Sequence, residues 1–119
     1  MRIVIGGCRY YEDYRGFCDF VERCIENEEK AEIVILSGHC AGVDLMAERY
    51  AIERGLALEI VPANWAKYGR AAGPVRNKQM VEKADVVIAF WDGRSKGTAS
   101  LLQCAKKLEK RVYLKDISN

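Results

Sequence analysis

Three short segments concentrate the residues able to do chemistry. Gly6-Gly7-Cys8-Arg9-Tyr10-Tyr11, Ser37-Gly38-His39-Cys40-Ala41-Gly42 and Trp91-Asp92-Gly93-Arg94-Ser95-Lys96-Gly97-Thr98 each mix glycines with polar or charged side chains. Glycines let backbone N–H groups close on an anion. Where such a segment runs into a helix, the first helical turn adds a partial positive charge. Phosphate is the guest that suits this pattern. Any single glycine serves equally well as a positive-φ turn residue, and Ser95 or Thr98 as a helix N-cap. Three such segments together favour a binding surface.

A fourth stretch, Pro62 to Gly73, is long for a connection in an α/β protein and carries Trp65, Tyr68, Gly69 and Arg70. Its aromatic rings would either stack on a base or anchor the loop to the body of the protein. Arg76 and Asn77 follow on the first turns of the next helix, where Arg76 would hold a phosphate or pair with a carboxylate. Asp44, Asp92, Asp13 and Glu48 are the carboxylates expected nearest the site, as ribose ligands or as a general base. Asp44 suits the first turn of a helix equally well. His39, Cys40 and Cys8 lack the paired spacings of a zinc site, so no metal is expected.

These residues need a frame. Apolar runs at Ile3 to Ile5, Ile33 to Leu36, Leu58 to Val61, Val86 to Phe90 and Val112 to Leu114 are continuous rather than alternating, as in strands covered on both faces. Between them, Phe17, Val21, Cys24 and Ile25, then Val43, Ala47, Tyr50 and Ala51, then Leu101, Leu102, Ala105 and Leu108 recur with helical period. A shorter helix is expected over Pro74 to Lys83, with Pro74 in its first turn. Gly55 and the Lys106-Lys107 pair suit helix ends. The alternation predicts an α/β, Rossmann-like, doubly wound, five-stranded parallel sheet, order 3-2-1-4-5, with helices on both faces. In that order strands 1 and 4 are neighbours whose chains leave in opposite directions. The chemical segments then fall at the C-terminal edge of the sheet, around the crevice where such sheets bind ligands.

Composition narrows the class. With 119 residues, 50% of them hydrophobic and 30% charged, the chain reads as one globular domain over 1–119. A net charge of +2, with the signs interleaved, argues against nucleic acid as a partner. No apolar run approaches the ~20 residues of a membrane span. Five cysteines with no CxxC spacing and no leader pattern suggest reduced thiols in the cytoplasm. The segment after strand 1 is not GxGxxG and no acidic residue closes strand 2, which argues against a hydride-transfer dehydrogenase. A P-loop and a GxSxG elbow are absent too. No cofactor is expected.

Ser37 to Asp44, Tyr68 to Gly73 with Arg76-Asn77 and Met80, and Ala84-Asp85 leading to Phe90-Trp91-Asp92-Gly93 and Gly97-Thr98 together resemble the YspA-like branch of the SLOG superfamily. Gly6, Arg9 and Asp13-Tyr14 fit its opening pattern. The resemblance implies a Rossmann-like domain that recognises nucleotides or nucleotide-derived ligands, of the ADP-ribose kind, and that self-associates. The LOG branch cleaves nucleoside monophosphates with a PGGxGTxxE segment. Gly97-Thr98 match its Gly-Thr pair, but Leu101 stands where its glutamate would be. The chain is similar to the DNA-processing protein A branch around Ser37 to Asp44 and at Arg76-Asn77, and that branch binds single-stranded DNA.

The expected function is therefore to sense or sequester a phosphate-bearing, nucleotide-derived small molecule. The ligand-binding set is Gly6, Gly7, Arg9, Ser37, Gly38, His39, Gly42, Asp44, Trp65, Tyr68, Arg76, Asn77, Trp91, Asp92, Gly93, Ser95, Gly97 and Thr98. Two alternatives stand beside it. One is hydrolysis of an N-glycosidic or phosphoester bond, with Asp44, Asp92 or Asp13 as acid or base; the other is single-stranded nucleic-acid binding.

Overall fold

Ile3, Val4 and Ile5 are inaccessible to solvent, as are Val87 to Phe90. Burial of consecutive residues means that both faces of these strands are covered, as their unbroken apolar character predicts. The computed structural model describes residues 1–118. Its strands are β1 (Arg2–Gly7), β2 (Val34–Ser37), β3 (Ala57–Ile60), β4 (Val86–Trp91) and β5 (Arg111–Asp116). They form one all-parallel sheet in the order β3-β2-β1-β4-β5, with Gly6 beside Ala89 and Gly7 beside Phe90 at the centre.

Helices α1 (Tyr14–Ile25), α2 (Val43–Arg54), α3 (Trp65–Tyr68), α4 (Ala72–Lys83) and α5 (Lys96–Lys107) connect the strands. Successive strand residues point to opposite faces, so β1 feeds two cores. Ile3 and Ile5 pack with Phe17 and Val21 of α1 and Val43, Ala47 and Tyr50 of α2. Val4 packs on the other face with Met80 and Val81 of α4 and Leu101 and Ala105 of α5. A stack of Phe17 on Phe90, ring centroids 5.1 Å apart, ties α1 to the end of β4.

The helix ends follow the local chemistry. Asp13 caps α1 by accepting the Gly16 amide at 2.9 Å. Gly55 ends α2 in the left-handed conformation, φ 66°, and Lys106 and Lys107 lie in the last turn of α5. The Pro62 to Gly73 stretch is more ordered than its composition suggests. Asn64 caps α3, a 3₁₀ turn follows at Gly69–Ala71, and α4 begins at Ala72, two residues before Pro74. One turn of helix is too short to leave a periodic signal. Among the described residues, no helix is long and apolar enough to cross a membrane.

Candidate functional site

Because β1 and β4 are neighbours while α1 and α5 cover opposite faces, their C-terminal ends diverge and leave a cavity of ≈ 250 Å³. Gly6, Gly7 and Arg9 line it from β1 and its loop, Cys40 from the loop between β2 and α2, and Asp44 from the first turn of α2. Arg76, Asn77 and Met80 come from one face of α4; Ser95, Lys96, Gly97, Thr98 and Leu101 come from the first turns of α5.

The α5 entrance is built by local hydrogen bonds. Asp92 Oδ1 accepts the Arg94 and Ser95 amides at 2.8 Å each, which curls the chain after β4. Those bonds hold the Asp92 carboxyl below its ordinary pKa, the Ser95 amide contributing most. Trp91 Nε1 donates to the Ser95 carbonyl at 3.1 Å. Ser95 then caps α5, its Oγ accepting the Thr98 amide at 3.4 Å and lying 3.1 Å from Thr98 Oγ1. A Cβ added to Gly97 would meet no heavy atom within 4 Å, so this first turn faces open space.

The opposite wall turns on the loop between β2 and α2. Ser37 Oγ donates to Glu48 Oε2 at 2.8 Å and accepts the His39 amide at 3.1 Å. His39, at φ 62°, places Nδ1 2.9 Å from the same carboxylate oxygen. Gly42, at φ 78°, passes so close to the loop after β1 that any Cβ would run into the Cys8 and Arg9 backbone. The result presents Asp44, only 7% exposed, to the cavity. Its Oδ2 accepts the Cys40 amide at 3.2 Å. Burial raises its pKa from 3.8 to about 6, opposed by the Cys40 and Gly7 amides and the nearby Arg76 charge.

Arg76, 8% exposed, is equally unusual. Its Nη1 donates to the Gly38 carbonyl at 2.6 Å, its Nε to Asn77 Oδ1 at 3.0 Å and its Nη2 to Cys40 Sγ at 3.8 Å. All three acceptors are uncharged, and among the described residues Arg76 makes no ion pair. Asn77 Nδ2 reaches the Gly97 carbonyl at 3.3 Å and so fastens α4 to the start of α5. With the Asp44 carboxylate nearby but beyond ion-pair distance, this buried guanidinium hydrogen-bonds only neutral partners and has charge to offer an anion.

The structure thus gathers Gly6, Gly7, Arg9, Asp44, Arg76, Asn77, Ser95, Gly97 and Thr98 around one cavity. Ser37, Gly38, His39 and Gly42 shape the loop behind it, and Trp91, Asp92 and Gly93 shape the approach to α5. Tyr68 lines a neighbouring depression that shares Arg76, whereas Trp65 stands 57% exposed near Gly73. On the far side a further depression shares Arg9 and Ser95 and includes Asp92 and the 87% exposed Tyr10. Of the three candidate acids, Asp44 alone lines the central cavity; Asp13 caps α1 and Asp92 holds a turn. The set expected from sequence lacked Cys40, Met80, Lys96 and Leu101, the last noted there only as standing at the position of the LOG-branch glutamate. Cys40 and Lys96 sit inside segments already singled out, and Met80 lies one turn beyond Arg76 and Asn77, on their face of α4.

A five-stranded parallel sheet in this order, with its cavity at the diverging ends of β1 and β4, defines a Rossmann-like fold of the nucleotide-ligand-binding class. The chain belongs to the YAcAr family, the YspA, cpYpsA-related SLOG family, whose pattern matches residues 1–68. It is 32% identical over 112 residues to the Gene 61 protein of Mycobacterium phage D29, covering 89% of each chain. Two solved structures share the fold. DNA processing protein A from Streptococcus pneumoniae superposes with a TM-score of 0.74 at 20% identity, over 95% of this chain and 49% of that one. DNA processing protein A from Helicobacter pylori, described with a single-stranded DNA binding mode, gives 0.68 at 19% identity, over 96% of this chain and 64% of that one. The chain therefore spans roughly half to two thirds of those two proteins.

Proposed function

We propose that the cavity between β1 and β4 binds the phosphate of a nucleotide-derived small molecule, such as ADP-ribose, a cyclic relative or another nucleotide signal. The observation that carries this reading is Arg76, a buried guanidinium without an ion-pair partner, facing the same space as the open first turn of α5. Arg9 and Lys96 add charge at the rim, so the site is cationic although the chain as a whole carries only +2. The phosphate sits at Lys96 to Thr98 in the cavity that Arg76 also lines, and the depression beside Tyr68 gives a base an adjoining aromatic surface. Recognition is favoured over LOG-type cleavage because Leu101, an apolar residue, lines the cavity at the position matching that branch's glutamate.

Denaturing the purified protein and identifying any released nucleotide by mass spectrometry tests this directly. Thermal-shift measurements across mono-, di- and cyclic nucleotides and ADP-ribose complement it. A ligand at one hundred times its Kd contributes ~2.7 kcal/mol, roughly 10 °C for a domain of this size. Failure to find a released ligand, together with no shift across the panel, refutes the reading. Recovery of a cleaved product would instead establish hydrolysis, with Asp44 as the acid or base in the cavity.

Single-stranded nucleic acid is a second reading, favoured by the row of three depressions linked through Arg76, Arg9 and Ser95 and by the fold shared with DNA processing protein A. It requires oligonucleotide affinity that falls steeply with salt. A flat salt response, or no binding, eliminates it.

A further inference from the structure

We propose that Asp44 makes the cavity selective for a ribose diol carried beside the phosphate, so that ribonucleotide-type ligands bind in preference to their deoxy counterparts. The inference rests on the phosphate reading above and adds the chemical identity of the ligand's sugar. The cavity has two unlike halves. On the α5 side stand Lys96 and the first-turn amides, while on the α2 side stands a carboxylate with the Arg76 guanidinium close by, held to Gly38 and Cys40. Between them lies Gly6, whose added Cβ would sit 3.0 Å from Leu101 Cδ2 and 3.5 Å from Asp44 Oδ1. Without that Cβ, a ligand anchored at α5 can extend over β1 to the carboxylate.

Asp44 is well suited to accept from neutral donors and poorly suited to anything else. It is buried and lines the cavity, and its hydrogen bond comes from a backbone amide, that of Cys40, with the Gly7 amide also lowering its pKa. Among the described residues no cation lies within ion-pair distance of it. The charges facing it are Arg76 from α4 and Glu48 from its own helix. The carboxylate offers a phosphate no donor and a like charge, whereas Lys96 and the first-turn amides offer both donors and positive charge, which assigns the phosphate to the α5 half. Two vicinal hydroxyls can donate to a carboxylate's acceptor sites without adding charge. With its pKa near 6, Asp44 is mostly ionised at neutral pH and remains an acceptor. A deoxy sugar would leave buried acceptor capacity unused, the situation in which sites built around a hydroxyl reject the analogue lacking it.

The test compares ADP, 2′-deoxy-ADP, 3′-deoxy-ADP and inorganic pyrophosphate by calorimetric titration of the full chain at neutral pH. The expected result is that ADP binds at least about tenfold more tightly than either deoxy analogue, the scale set by a buried acceptor left unpaired. In Asp44→Asn that ratio falls below about threefold, while pyrophosphate binds as tightly as before or more so, because a like charge has been removed. ADP and the deoxy analogues within twofold of each other in the native chain would overturn the inference yet leave phosphate recognition standing. Discrimination that survives Asp44→Asn would equally overturn the role of this residue. If neither ADP nor pyrophosphate binds, this inference fails, while the phosphate reading is decided separately by the released-ligand and nucleotide-panel experiments. The native-chain comparison needs no variant, so the test does not depend on how Asp44→Asn folds.

Discussion

Replacing Asp44 by Asn should stabilise the folded protein at neutral pH, although it removes a charged residue from the site. Burial raises the Asp44 pKa from 3.8 to about 6. The folded state therefore binds a proton more tightly than the unfolded chain does. Its contribution to stability is fully present below pH ~4 and is lost as pH rises through about 6, the reverse of an ion-paired carboxylate. At ~1.4 kcal/mol per pH unit, the ionised carboxylate costs about 3 kcal/mol at pH 7. Asn keeps one carbonyl oxygen for the Cys40 amide but weakens the contact with the Gly7 amide, a loss of about 1 kcal/mol. The expected net gain is thus about 1–2 kcal/mol at pH 7, roughly 4–8 °C in Tm for a chain of this length, shrinking to nothing or reversing near pH 4. Urea denaturation of both proteins from pH 4 to 8 reads this as a difference. Subtraction matters because the Glu53, Glu59, Asp92 and Asp116 carboxyls, all held below their ordinary values by hydrogen bonds, impose an opposite slope common to both proteins. A variant less stable than the native chain at pH 7, or a difference independent of pH, would refute the claim that Asp44 is a desolvated charge kept for ligand binding.

Gly97→Leu should fold normally, since its Cβ meets nothing within 4 Å, yet lose at least about tenfold in pyrophosphate affinity as the side chain fills the first turn of α5; unchanged affinity in a titration would move the phosphate elsewhere. Gly42→Ala should destabilise by about 2 kcal/mol or more in urea melts, because its φ of 78° and the Cys8 and Arg9 backbone leave no room for a methyl; a neutral substitution would contradict the packing of the two loops. Ser95→Ala should cost about 1 kcal/mol through loss of the α5 cap and weaken pyrophosphate binding as well. Equal stability of the two proteins would show that Asp92 alone holds the turn. Phe17→Ala, which opens the stack on Phe90, should cost about 3–5 kcal/mol by thermal or chemical denaturation, and a loss below 1 kcal/mol would show that the core beneath the β4 end repacks.

The sheet was legible because burial on both faces leaves a sequence trace that needs no partner to interpret. Unbroken runs such as Val86 to Phe90 mark covered parallel strands, and the alternating helices fix the side on which each returns. The strand-end segments were legible for a similar reason, since Gly42 and the Asp92-to-Ser95 turn are local solutions written in local residues. α3 was not, because four residues cannot show a period.

What the sequence by itself determined was therefore the frame and the strand edge at which the cavity lies. The tertiary structure alone decided how that edge is divided. His39 stands next to Cys40 in the chain, but its Nδ1 meets Glu48 while Cys40 lines the cavity. Tyr68 joins the site only through the depression it shares with Arg76. Arg76 and Asp44 are ordinary surface-type residues until packing of α4 and α2 on opposite faces of the sheet removes water from both. Desolvation is a property of everything packed around a group, and no window of sequence contains it.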